Sequence, residues 1–135
     1  MKESMNRLEI GLIGLSHKTA PVDLRERFTL GDEELPGFFE KTCSEGVDEI
    51  VYLSTCNRVE IYFITSDMNA AVESVLGVME GVSLLPREKF ESSLYKKYSR
   101  EAVLHLLSVA SSLDSMVLGE NEIFFQVKNC YGKSV

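Results

Sequence analysis

The chain has 135 residues, 44% hydrophobic and 26% charged, which is the profile of one soluble globular domain. Asp and Glu outnumber Lys and Arg by 21 to 14, for a net charge of −7 and a pI near 4.9. These values exclude a disordered tail, a collagen-like fibre and a coiled coil, and they argue against non-specific binding of nucleic acid, which needs a net basic face.

Three cysteines, Cys43, Cys56 and Cys130, cannot all pair, and none forms a Cys-x-x-Cys. The expectation is a reducing, cytoplasmic setting without a disulfide scaffold. Only His17 and His105 could supplement the thiols, so no metal site is expected. Glu9 interrupts the apolar stretch Leu8–Leu15, which argues against a signal peptide. No run reaches the roughly 18 apolar residues of a membrane span.

Leu8–Leu15 is short and apolar and reads as a strand. Asp23–Phe28 reads as a short helix started by Pro21. A second helix opens at Gly31-Asp32, carries Leu35, Phe38 and Phe39 on one face, and closes at Gly46. Ile50–Leu53 and Val59–Thr65 are strands; the latter sets Val59, Ile61 and Phe63 against Glu60, Tyr62 and Ile64. The hairpin-length connection Thr55-Cys-Asn-Arg58 joins them. Asp67 caps a helix over Met68–Met79 with Gly81 at its end, and Leu94–Tyr98 is a fourth strand.

The order β, α, β, β, α, β predicts a ferredoxin-like split βαβ fold of the α+β class, with a four-stranded antiparallel sheet. Two C-terminal helices follow. One is capped by Ser99 and reaches about Ser112; the other starts at Asn121 with Ile123, Phe124, Val127 and Tyr131 on one side. The loop Leu113–Glu120 between them has no clean period, as functional loops often do not.

Cys56 is the most informative residue. A turn exposes it, and the neighbouring Arg58 guanidinium favours a thiolate, the nucleophilic form. An inert half-buried cysteine fits the same spacing, and both readings stand. His105 is either a packed histidine on a helix or a group that serves as a base or orients a carbonyl. Gly11 and Gly14 lie inside a strand and lack the third glycine and helix of a dinucleotide site.

Four segments together resemble one family. They are Gly14–Pro21 (Gly-Leu-Ser-His-Lys-Thr-Ala-Pro) with Leu24-Arg-Glu26, Ser54–Tyr62 (Ser-Thr-Cys-Asn-Arg-Val-Glu-Ile-Tyr), His105–Glu120, and Gln126-Val-Lys128. In order and spacing the chain resembles the N-terminal catalytic domain of glutamyl-tRNA reductases. The resemblance implies that Cys56 attacks the ester joining glutamate to its tRNA. NADPH would then reduce the resulting thioester to glutamate-1-semialdehyde, a step of tetrapyrrole biosynthesis. It implies catalytic roles for Cys56 and His105, and substrate contacts from Thr55, Asn57, Arg58, Ser115, Glu120, Asn121, Glu122 and Gln126.

Three positions depart from the family pattern: Ser112 where glycine is common, Asn121-Glu122 where Pro-Gln is common, and Phe125 where glycine is common. The family continues into an NADPH-binding domain and a helical dimerisation domain. The expectation is therefore a catalytic segment at 1–120, the start of a linking helix at 121–135, and a fragment unable to complete the reduction alone. A homodimer and an aminomutase partner are implied for the full-length family. The competing readings are a ferredoxin-like RNA-binding module without catalysis, and a thiol redox sensor at Cys56. Against the first count the charge and the lack of an RRM signature; against the second, the lack of a resolving cysteine.

Overall fold

The two segments with the strongest strand patterns form the centre of a five-stranded antiparallel sheet of order β4-β1-β3-β2-β5. A computed structural model describes residues 7–43, 46–114 and 124–130. The strands are β1 (Glu9–Ser16), β2 (Glu49–Ser54), β3 (Arg58–Thr65), β4 (Tyr95–Tyr98) and β5 (Phe124–Asn129). The helices are α1 (Val22–Glu26), α2 (Leu35–Cys43), α3 (Met68–Ser83) and α4 (Arg100–Asp114). Two single 3₁₀ turns, Arg87–Lys89 and Glu91–Ser93, lead into β4.

Strand side chains alternate between two different environments. Ile13, Leu15, Ile50, Tyr52, Val59, Ile61 and Phe63 face α1 to α3 and pack with Phe28, Phe38, Phe39, Val75, Leu76 and Met79 in the main core. Leu12, Leu53 and Tyr62 face the other way, under Ala102 and Val109 of α4. Because the strand period is two, each residue's face follows from its neighbour's. The Tyr52 hydroxyl is buried yet satisfied: it donates to the Phe28 carbonyl at 3.0 Å and accepts from the Leu30 N–H at 2.8 Å. Burial raises its pKa.

Local signals set the helix ends. Asp67 caps α3 by accepting from the Ala70 N–H at 3.2 Å. Gly81 does not stop this helix, which runs on to Ser83 and ends where Leu84 turns left-handed at φ 62°. Added Cβ atoms at Gly77 and Gly81 would meet nothing within 4 Å, so packing does not require these glycines.

The sequence reading fails in two places. The sheet has five strands rather than four, and the expected second C-terminal helix is β5 over the described residues. The run Phe-Phe-Gln-Val-Lys-Asn fits a helical face and a strand alternation equally, as short apolar runs do. Pairing with the open edge of β2, from Glu49↔Asn129 to Ser54↔Phe124, satisfies its backbone. Phe124–Asn129 thus belongs to the sheet.

The second correction is Cys43–Cys130, which is a disulfide spanning 87 residues, with Cα atoms 5.0 Å apart. An odd cysteine count leaves one thiol free; it does not stop two others from meeting once β5 lies beside β2. Cys56 is the cysteine outside this disulfide, and it is exposed. In the absence of reductant, iodoacetamide should label Cys56 alone, and peptide mapping should recover Cys43 and Cys130 as one linked species. Reduction should then lower the unfolding free energy, read by urea titration, by about 2–4 kcal/mol.

Candidate functional site

Three segments meet at one end of the sheet. The last pair of the β1–β3 ladder is Ser16↔Arg58, so the loop after β1 and the turn before β3 emerge side by side. The His17 N–H donates to the Asn57 carbonyl at 2.8 Å, and the Thr55 N–H donates to the Arg58 carbonyl at 2.9 Å. The Thr55 hydroxyl accepts from the Asn57 N–H at 3.1 Å, a side-chain turn that fixes the residues either side of Cys56. Arg25 of α1 reaches across, donating to the Ala20 carbonyl at 2.8 Å and the Cys56 carbonyl at 3.5 Å. The Cys56 backbone is therefore held from two sides while its side chain is exposed.

Below this turn, on the α4 face, lies a carboxylate with no solvent exposure, that of Glu60. Its Oε1 accepts from the Tyr62 hydroxyl at 2.6 Å. Its Oε2 accepts from the Tyr95 hydroxyl at 2.5 Å and from Arg58 Nη1 at 3.1 Å, and lies 2.6 Å from His105 Nε2. Burial alone pushes the Glu60 pKa up, but the hydrogen bonds from Tyr62, Tyr95 and His105 outweigh it and hold the acid below its ordinary value. The pKa values of Tyr62 and Tyr95 are driven well up, by burial and by the carboxylate beside them.

Gly14 makes this cluster possible. It pairs with Glu60 on one side and Tyr95 on the other, so both side chains must reach over it. A Cβ at Gly14 would lie 2.9 Å from Glu60 Cγ and 3.1 Å from the Tyr95 ring. Only glycine leaves the gap across which they bond.

A cleft of about 420 Å³ opens beside the cluster; its walls include Lys18, Thr19, Arg58, Tyr95, Lys97 and His105. Three cations, Lys18, Arg58 and Lys97, border it in a chain of net charge −7. Arg58 and His105 each keep 21% of the side chain exposed, enough to meet a ligand while anchored on Glu60.

Of the residues singled out in the sequence, Arg58 and His105 share one carboxylate oxygen, and Thr55, Cys56 and Asn57 form the turn above them. Gln126 is not brought to this cluster. It pairs with Tyr52, whose side chain faces α2, and it borders a different cleft with Leu35, Pro36 and Phe39. Ser115, Glu120, Asn121 and Glu122 lie outside the described residues. The sequence reading assigned no role to Glu60, Tyr62, Tyr95 or Gly14. The available signal was a glutamate on a strand that otherwise alternates apolar residues, which a buried sheet tolerates only with partners.

A family model described as the N-terminal domain of glutamyl-tRNAGlu reductase matches residues 13–135. The chain belongs to this family. It is 40% identical over 125 residues to the glutamyl-tRNA reductase of a Cyanothece species, covering 92% of this chain and 29% of that protein. To the glutamyl-tRNA reductase of Desulfovibrio desulfuricans it is 44% identical over 127 residues, covering 94% of this chain and 29% of that protein. The solved structure of glutamyl-tRNA reductase from Methanopyrus kandleri superposes with a TM-score of 0.55 at 27% identity, over 82% of this chain and 24% of that one. This glutamyl-tRNA reductase N-terminal domain thus spans under a third of the length of the curated relatives it matches. Among the described residues, no helix is long and apolar enough to cross a membrane, and no cluster of His, Cys, Asp and Glu could hold a metal.

Two predictions test the cluster. Gly14→Ala should lower the unfolding free energy by about 1–3 kcal/mol, because Glu60 and Tyr95 cannot both yield to the new methyl group. Circular dichroism during urea unfolding measures it. Glu60 has a depressed native pKa, so its stabilisation is complete above the ordinary glutamate value of about 4.3 and is lost as pH falls through the lower native value. Glu60→Gln should cost about 1.5–3 kcal/mol at pH 7, with the gap to the parent protein closing in acid.

Proposed function

We propose that this domain performs the acyl-transfer step of a glutamyl-tRNA reductase, with Cys56 as nucleophile and the glutamyl group of glutamyl-tRNA as substrate. The observation that carries this reading is an exposed thiol on a doubly anchored turn that leads into Arg58, a wall residue of the cation-bordered cleft. The Cys56 sulfur would bond to the glutamyl carbonyl carbon. The ester C–O bond would break, and the terminal ribose oxygen of the tRNA would leave with the proton the thiol gave up. The product is a thioester on Cys56 and free tRNA. Thiols are strong nucleophiles, and thioesters accept hydride more readily than carboxylates, which suits a later reduction.

Arg58 is the fitting partner for the substrate's free carboxylate, since its fork of donors keeps capacity beyond the single bond to Glu60. Thr55 and Asn57 serve by shaping the turn. Ser115, Glu120, Asn121 and Glu122 enter the proposal from the family resemblance, with Glu120 suited to the substrate's ammonium group. The Gln126 contact is dropped, because that residue borders the cleft lined by α2 residues.

The proposal stops at the thioester. NADPH needs a phosphate cradle, and the described residues do not fit one: Gly11 and Gly14 lie inside β1, with Phe63 crowding the first and Glu60 and Tyr95 the second. In this reading, hydride transfer belongs to a nucleotide-binding domain outside residues 1–135. The homodimer, the aminomutase partner and the cytoplasmic setting belong to the same whole-enzyme picture. We also read β1 to β4 with α2 and α3 as a ferredoxin-like unit, supported by the order β4-β1-β3-β2 and antiparallel pairing throughout, with α4 and β5 added to it.

Incubation with labelled glutamyl-tRNA should give a thiol-labile glutamyl adduct on the Cys56 peptide, detected by mass spectrometry. Cys56→Ser should give none. An adduct that survives this substitution would remove Cys56 as the nucleophile, and RNA retention without any adduct would favour a non-catalytic binding module.

A further inference from the structure

The bonds around Glu60 determine which nitrogen of His105 is free. A carboxylate can only accept hydrogen bonds. Arg58 and the hydroxyls of Tyr62 and Tyr95 all donate to Glu60, and the fourth partner is His105 Nε2, at 2.6 Å from Oε2. That nitrogen must therefore carry a hydrogen. In a neutral imidazole the lone pair then sits on Nδ1. A histidine in this state can accept a hydrogen bond or a proton in the cleft, but it cannot donate one there from Nδ1.

We propose that Glu60 is a positioning residue that holds neutral His105 as the Nε2–H tautomer, so that Nδ1 serves the cleft as proton acceptor rather than as a donor to the substrate carbonyl. The inference rests on the thioester reading of Cys56. There the thiol proton must be taken up and then delivered to the departing ribose oxygen, and the inference assigns both steps to His105 Nδ1, on a ring that borders the cleft. The carbon–sulfur bond forms, the carbon–oxygen bond breaks, and the proton passes from sulfur through Nδ1 to oxygen, with no oxidant or reductant.

The surroundings hold the ring to this one arrangement. The Tyr95 ring lies against His105 with centroids 5.2 Å apart while its hydroxyl binds the same Glu60 oxygen. Gly14 gives the space that lets Tyr95 and Glu60 meet. The charged and titratable groups facing the imidazole are Glu60, Arg58 and Tyr62 from β3, Tyr95 and Lys97 from β4, and Lys18 from the loop after β1. Among these only Glu60 is anionic and shielded from water, so it is the group able to select the tautomer. Tyr62 and Tyr95, bound as donors to the carboxylate, strengthen that role by keeping it ionised.

The first test needs no variant. Long-range ¹⁵N–¹H correlation spectra of histidine-labelled protein should show, for the neutral His105 ring, Nε2 protonated and Nδ1 bare. A neutral Nδ1–H ring would overturn the inference. The second test is the pH profile of thioester formation. Glu60→Gln should slow acylation at least about tenfold and change the shape of its pH profile, with half-saturating glutamyl-tRNA little changed. Glu60→Asp, which keeps the charge, should restore part of the rate. An unchanged profile in Glu60→Gln would defeat the positioning role alone, whereas adduct formation by Cys56→Ser would defeat the thioester reading beneath it.

Discussion

A fully buried carboxylate governs one face of this domain. Glu60 sits in the middle of a sheet where an unpartnered charge would cost several kcal/mol, so every neighbour must supply a donor in the right place. This requirement reaches far along the chain. It sets Tyr95 opposite Gly14, fixes the β1–β4 register, and demands that α4 dock with His105 inward. A one-residue slip of β4 would turn Tyr95 to the opposite face and leave an acceptor on Glu60 unfilled. Main-core packing against α1 to α3 provides bulk stability; the Glu60 cluster provides a unique arrangement on the other side.

Strand existence was legible because the alternation in Val59–Thr65 is a direct image of a sheet with two different faces. Which face held the chemistry was not legible, since Glu60 and Tyr62 acquire meaning only when Tyr95 and His105 arrive from 35 and 45 residues away. Asp67 was readable as a cap because its partner is three residues on. Gly14 was not readable as a spacer, because its reason lies in two strands on either side of it. The Phe124–Asn129 segment shows the opposite limit: its local pattern satisfies two periods, and only the open β2 edge decides between them. The Cys43–Cys130 bond has the same origin, as it depends on β5 bringing a residue 87 positions distant beside α2.

Of the proposed substrate-site residues, Cys56, Arg58 and His105 separate into two physical roles. Cys56 is exposed on a turn whose backbone is held by Arg25 and by the neighbouring loop. Arg58 and His105 lie on a strand and a helix and are held by one buried oxygen. Under the proposed function this is a division of labour: Arg58 and His105 would keep their geometry on rigid elements, and Cys56 on its turn would reach a large substrate. Thr55 and Asn57, adjacent to the thiol, spend hydrogen-bonding capacity on the turn itself.

Charge explains how an acidic domain could accept an RNA ester. At physiological ionic strength charges beyond about 8 Å are largely screened, so a net charge of −7 spread over the surface matters less to a bound group than the cations at the cleft. Lys18, Arg58 and Lys97 border that cleft within a low-dielectric wall, where their field is strongest. In the proposed function, a polyanion would gain little from the rest of this surface, whereas the glutamyl end of the molecule, carrying a carboxylate of its own, would meet three cations and one buried anion that already has four partners. Selection would then rest on the aminoacyl end rather than on the phosphate backbone. That arrangement suits the proposed function, in which the site would distinguish an ester of glutamate from RNA in general.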